Sequence, residues 1–329
     1  MPTLVPVAEL PKTLPYPNAM QAPGFGPIFY ESEIWELEYQ SYRYLERMPD
    51  LELAARHQSI VRNMKALIAE ERNAIPIQSF LSSWYWFRKE HQTRLEFHLR
   101  GAFCPLPTDL WLASDALSLA PARPKHPNAG DVLFRFGKHE HLGPMLHEGK
   151  IRVSPASTFV SLDGDGARKD EECCKTVVMP GGQTKVTTMD GRDIPIIGDL
   201  RRSTLRDDYY MLCMASDWHP QLFSDFGADA CVVIKDVDEF ASRLDSSFEL
   251  VRPGWQFYYF PVHYFDPHER LKNEPFDAIA CKDFEFAYQR EYRFFWVNKA
   301  VRDDLPYQTL QLGTIDDIAE LHSAPTTSS

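Results

Sequence analysis

The feature that most limits how this chain can fold is a change of hydrophobic period part-way along it. Through residues 31–98 apolar side chains recur at three- and four-residue steps. Leu53, Ile60, Val61, Met64, Leu67 and Ile68 share one helical face, and after Pro76 a second stripe runs through Ile77, Phe80, Leu81, Trp84, Phe87 and Leu95. Beyond residue 130 the apolar runs are short and separated by turns. Residues 132–136, 151–154, 209–214, 231–234, 258–264 and 292–297 read as strands, and 184–188 with 193–197 flank the turn Asp190-Gly191 as a hairpin. Two helices punctuate this region, 139–148 closed by Gly149, and 236–244. One layer cannot satisfy both periods. The expectation is therefore an α+β chain: two or three packed helices, then a mixed, mainly antiparallel β part.

Proline placement marks the joints. Pro2, Pro6, Pro11, Pro15, Pro17, Pro23 and Pro27 forbid regular helix at the start, and Pro105, Pro107, Pro121, Pro124 and Pro127 run into Asn128-Ala129-Gly130. The organisation expected is an arm at 1–28, a helical part at 29–120, a linker at 121–130, an α+β part at 131–310 and a tail at 311–329.

Composition closes several functional classes. With 44% apolar and 25% charged residues, the 329-residue chain can bury an ordinary core. Its net charge of −12 repels phosphate backbones, and the densest basic stretch, Arg201-Arg202 with Arg206, runs into Asp207-Asp208 and reads as a solvated loop or helix start. No apolar run nears the ~18 residues of a membrane-spanning helix. The opening residues Met1 to Pro6 lack the charged start and apolar core of a signal peptide, and six cysteines form no Cys-x-x-Cys pair, so the expected compartment is the cytoplasm. No metal is expected. His139, His141 and His147 lack zinc spacing, and a calcium loop opening on Asp163-Gly164-Asp165-Gly166 would carry Cys174 where its bidentate glutamate belongs. Glycine-rich phosphate loops and a nucleophile elbow are absent from the sequence.

One segment stands apart: Lys282-Asp283-Phe284-Glu285-Phe286-Ala287-Tyr288, continuing as Gln289-Arg290-Glu291-Tyr292-Arg293-Phe294-Phe295-Trp296. On a strand, Gln289, Glu291 and Arg293 project to one side. Three such groups are costly to bury without partners. They form either an internal ion-pair and hydrogen-bond ladder or the wall of a cleft that holds a polar ligand.

With Lys282, Phe286, Tyr288, Gln289, Glu291, Tyr292 and Arg293 in place, the chain resembles a family of uncharacterised bacterial proteins. That family's C-terminal signature is a lysine, an aromatic residue, then Tyr-Glu-x-Glu-Tyr-Arg. Arg135, Gly149, Ser154 and the acidic Asp170-Glu171 match its earlier landmarks, and the resemblance spans roughly 131–297. Gln289 stands where the family has its first glutamate, and the acidic turn lacks the usual Asn and Pro. The order of Arg135, Ser154 and Gln289-x-Glu291 also resembles the ADP-ribosyltransferase plan, which is shared by several toxins. That resemblance implies an ADP-ribosyltransferase-type β domain. It further implies an NAD-consuming transferase or NAD glycohydrolase, a toxin or defence effector, with NAD as substrate and a protein or nucleic acid as acceptor. Arg135 would hold an NAD phosphate or ribose, Ser154 the nicotinamide ribose and Glu291 the ribose 2′-hydroxyl, with Gln289 orienting the acceptor and Tyr288 and Tyr292, or Trp296, stacking on a ring. A fixed carboxylate suits an oxocarbenium-like centre, and an arginine fork suits a pyrophosphate. The alternative is a non-enzymatic ligand-sensing or protein-interaction module, with the helical part free to bind a partner or a second copy.

Overall fold

The computed structural model describes residues 32–68, 83–104, 131–161, 171–181, 184–218, 221–269, 277–298 and 305–324. The proline-rich arm at 1–28, the linker at 121–130, Asp170 and the glycine-rich 163–166 lie outside them.

Three helices come first, α1 (Ser32–Tyr42), α2 (Asp50–Ile68) and α3 (Ser83–Leu99). The β part then runs β1 (Leu133–Gly137), α4 (His139–Glu148), β2 (Lys150–Pro155), β3 (Cys174–Met179), β4 (Val186–Thr187), β5 (Asp193–Ile194), β6 (Leu200–Leu205) and β7 (Tyr210–Ala215). It continues through α5 (Gln221–Asp225), β8 (Ala230–Ile234), α6 (Val237–Val251), β9 (Gln256–Pro261), β10 (His263–Phe265), β11 (Cys281–Asp283), β12 (Glu291–Val297), β13 (Gln308–Gln311) and β14 (Ala319–Ser323). The chain is α+β, and of the described strand pairs only β10–β11 is parallel.

Local chemistry accounts for the boundaries. The side chain of Asp236 accepts from the Glu239 N–H at 3.0 Å, capping α6. Val237, Phe240, Ala241, Leu244 and Phe248 then bury one stripe. Helix α4 ends at Gly149, whose φ of 64° is the left-handed conformation that lets its N–H turn back to the Pro144 carbonyl. All five residues of β8 are buried, so that strand is covered on both faces.

The main sheet has eight strands and branches at β7. One edge of β7 pairs with β12, which pairs with β9. The other edge is shared: β2 meets its start (Ser154 opposite Met211) and β1 meets its end (Phe134 opposite Ala215). Beyond this fork β2 continues to β13, and β1 to β8 and β14. On one face Leu212, Met214, Tyr292, Phe294 and Trp296 pack under α4 and α6. The opposite face carries Phe134, Phe136 and Ala215, which share a core with Trp35, Ile60, Met64 and Trp86 of the three helices. Helical and β parts are thus joined through one apolar interior.

Two segments differ from the sequence expectation. The Arg201-Arg202 stretch, expected as a loop or helix start, is strand β6, because it finds β3 as an antiparallel partner from Cys174–Leu205 to Met179–Leu200. Residues 319–323, assigned to a tail, form β14 along β8.

Candidate functional site

Glu291 opens β12, with Arg293 following on the same face. Gln289 is not on the strand, contrary to the sequence reading. It ends the 3₁₀ helix Phe284–Gln289, and Arg290 between them has φ 43°, the one non-glycine residue with positive φ among those described. This left-handed turn re-aims the chain. Gln289 and Glu291 therefore converge on one cation after all: Lys282 Nζ, from β11, lies 3.1 Å from Gln289 Oε1 and 2.6 Å from Glu291 Oε2. The Arg290 carbonyl accepts from the Ser216 N–H at 2.8 Å and its hydroxyl at 2.9 Å, and the guanidinium meets Asp217 at 2.5 Å, anchoring the turn to the end of β7.

Both oxygens of Glu291 are engaged. Arg293 donates from Nε at 2.9 Å and Nη2 at 2.7 Å to Oε1, while Lys282 holds Oε2. Arg293 also donates through Nη1 to the Ile279 carbonyl at 2.6 Å and to the Tyr209 hydroxyl at 3.3 Å. A second carboxylate, Glu172, lies 2.9 Å from Arg293 Nη2, 3.6 Å from Lys175 Nζ and 3.8 Å from Lys282 Nζ. Tyr264 accepts the backbone N–H of Glu291 at 2.7 Å. Exposure of Glu172, Lys175, Lys282, Gln289, Glu291 and Arg293 is at most 4%. This is the ladder rather than the wall of an open cleft.

Electrostatics keeps the cluster ionised. Burial works to raise the Glu291 carboxyl, yet Arg293 and Lys282 together hold it far below the usual carboxylate range. For Arg293 burial opposes the charge, but Glu172 and Glu291 drive its affinity for the proton well above the ordinary value. Burial, then the Glu291 charge, pushes the Cys213 thiol well up, so it stays protonated. Glu291 is thus held as a carboxylate with both oxygens engaged.

Of the remaining sequence-predicted residues, Tyr288 stays beside the cluster and the others lie elsewhere. Tyr288 is buried beside Gln289, whose Nε2 donates to its hydroxyl at 3.2 Å, and the Arg62 guanidinium sits 5.3 Å over its ring. Tyr292 points to the other face of the sheet, into the core with Phe294 under α6. Ser154 shares Glu291's face, but its partner on β7 is Met211 while that of Glu291 is Ala215. Four residues along a strand separate them by roughly 13 Å, before the sideways step across β7. Arg135 alternates with Phe134, and the register puts Phe134 level with Ala215, so Arg135 leaves β1 on the face away from Glu291. Its Nη1 donates to the Cys213 carbonyl, which faces the fork between β1 and β2. The structure unites Tyr288, Gln289 and Glu291, sets Ser154 farther along the sheet, and brings Arg135 off its strand on the opposite face.

Sequence reasoning missed Glu172, Lys175, Tyr209, Tyr264 and Cys213 as site members and left Lys282 as a mere landmark. The signal for Glu172 was one position away: the acidic turn was read as Asp170-Glu171, whereas Glu171 is exposed and Glu172 is inside.

No protein-family model, curated protein or solved structure matches this chain.

Proposed function

We propose that this chain is a non-catalytic binding module, in which the Gln289–Arg293 run braces the fold. The observation that carries this reading is the saturation of Glu291 by Lys282 and Arg293 inside a cluster at most 4% exposed. Buried ion clusters of this kind contribute little net stability but penalise any structure that breaks them, which suits a brace between β3, β11 and β12. An ADP-ribosyltransferase-type site acting on NAD would instead need Glu291 released from two cations, with Arg135 and Ser154 gathered around it.

The experiment is incubation of the full chain with NAD, with and without protein and nucleic-acid acceptors, while nicotinamide release is followed by chromatography. No release is expected. Glu291→Gln, which leaves Lys282 and Arg293 short of a counter-charge, should lower stability by about 2 kcal/mol or more in chemical unfolding. Nicotinamide release by the wild type, abolished in a Glu291→Gln variant of unchanged stability, overturns the proposal.

A further inference from the structure

The main sheet ends in β9, where Pro261 at the strand's end is the one edge protection among the described residues. Among the described residues β9 pairs with β12 on one side and with no strand on the other. The sheet's other two ends are polar: β14 carries Glu320 and His322, and β13 reads Gln-Thr-Leu-Gln. Strand β9 reads Gln-Phe-Tyr-Tyr-Phe-Pro, with no charge, and Tyr258 and Tyr259 are 46% and 38% exposed. Uncharged aromatic edges of this sort are templates for another strand.

The ladder shows which groups the edge offers. The Val262 N–H donates to the Glu291 carbonyl at 2.9 Å. By alternation Phe260, Tyr258 and Gln256 bond toward β12, leaving the N–H and C=O groups of Phe257 and Tyr259, and the Pro261 carbonyl, on the free side.

Charge then selects the occupant. Helix α6 meets β9 at Asp238, and Asp245 and Glu249, seven and eleven residues on, fall on the same stripe of the helix. Asp238 accepts from the Tyr259 hydroxyl at 3.2 Å, Glu249 from the Gly254 N–H at 3.1 and 3.2 Å, and Asp245 sits beside Trp296 and Glu249. None of the three forms an ion pair with a described residue. Their spacing along the helix is roughly 10 and 6 Å, within one to two of the ~6.6 Å steps between alternate residues of a strand. On the other face an added strand would meet Tyr258 and Phe260. A second copy of this chain would bring two such acidic helices to the same face, because a two-fold axis normal to the sheet preserves its faces.

Resting on the binding-module reading, we propose that β9 receives an extended segment of a partner protein as an added strand. That segment alternates basic with apolar residues, its lysines or arginines facing Asp238, Asp245 and Glu249.

The test is fluorescence anisotropy with the full chain and a labelled peptide of about nine residues alternating lysine and valine, long enough to span the edge. Binding that weakens as salt rises is expected, with none for the matching glutamate–valine peptide. Tyr259→Pro removes an outward N–H without touching the β12 ladder and should weaken binding about fivefold. The triple variant Asp238→Asn, Asp245→Asn, Glu249→Gln should weaken it about tenfold or more. A lysine–valine peptide N-methylated at alternate positions should not bind, a control that leaves the protein unaltered. Equal binding of the glutamate peptide, indifference to N-methylation, or no binding overturns the inference. So does a dimer whose Phe257 and Tyr259 amides resist hydrogen exchange without peptide. Release of nicotinamide from NAD by the same sample would instead sink the module reading, and the two readouts are independent.

Discussion

Arg56 on α2 and Asp266 after β10 lie 210 positions apart yet form two parallel bonds, Nη1 to Oδ1 at 2.9 Å and Nη2 to Oδ2 at 2.6 Å. Lys89 of α3 reaches the same carboxylate at 2.7 Å, and none of the three side chains is more than 4% exposed. This junction ties the helices to the β part. Asp266→Ala would leave two buried cations facing each other, and a loss of about 3–5 kcal/mol is expected in urea unfolding. An unchanged midpoint would show that the junction does not hold the two parts together.

Arg290 tests the turn that brings Gln289 and Glu291 together. Both Arg290→Gly and Arg290→Ala remove the guanidinium from Asp217, so their difference isolates the backbone at φ 43°. The glycine variant should be the more stable by about 1 kcal/mol, since only glycine adopts this region without side-chain strain. Equal stabilities would mean that the turn relaxes when the ion pair is gone.

Gly149 closes α4 with φ 64°, and a Cβ placed there would lie 1.8 Å from the Gly313 carbonyl oxygen. Backbone is on both sides of that clash, so no side chain can swing away. Gly149→Ala should therefore cost about 2 kcal/mol or more in thermal or chemical unfolding. Gly143→Ala, at a position on the same helix with open space around its Cβ, is the control expected to be neutral or slightly stabilising.

Acid should unfold the chain in two stages. Burial, aided by Arg56, pushes His268 from 6.5 down to about 4. Between those values the unfolded chain binds the extra proton, so stability falls as pH drops through that window, by about 2 kcal/mol after allowing for partial exposure. Asp266 and Glu291 resist burial through their cations and sit well below ordinary carboxylates. Their contribution is complete above about 4.5 and is lost below it. Urea midpoints measured from pH 7.5 to 3 should decline gently from about 6.5 and steeply under 4.5. His268→Gln should shrink the gentle limb and leave the steep one, the remainder belonging to His91, which burial also lowers; a profile unaffected by that substitution contradicts the assignment.

Elements with local signals are readable directly from the residues. The shift from a three-to-four period to short apolar runs encodes which faces are buried, and so separated helices from strands. The Gly149 stop and the polar run after Lys282 were legible for the same reason. What the sequence did not contain is which distant groups meet. Strand β6 exists because Arg201-Arg202 found β3, and β14 because 319–323 found β8. Order along the chain groups Arg135 and Ser154 with Glu291, but the fork at β7 sends the strands of the first two apart. Glu172, Lys282 and Arg293 meet only after three strands have packed. Periodicity reports a residue's face, whereas pairing across strands and buried charge compensation depend on contacts far apart in sequence, which form only as the whole chain packs.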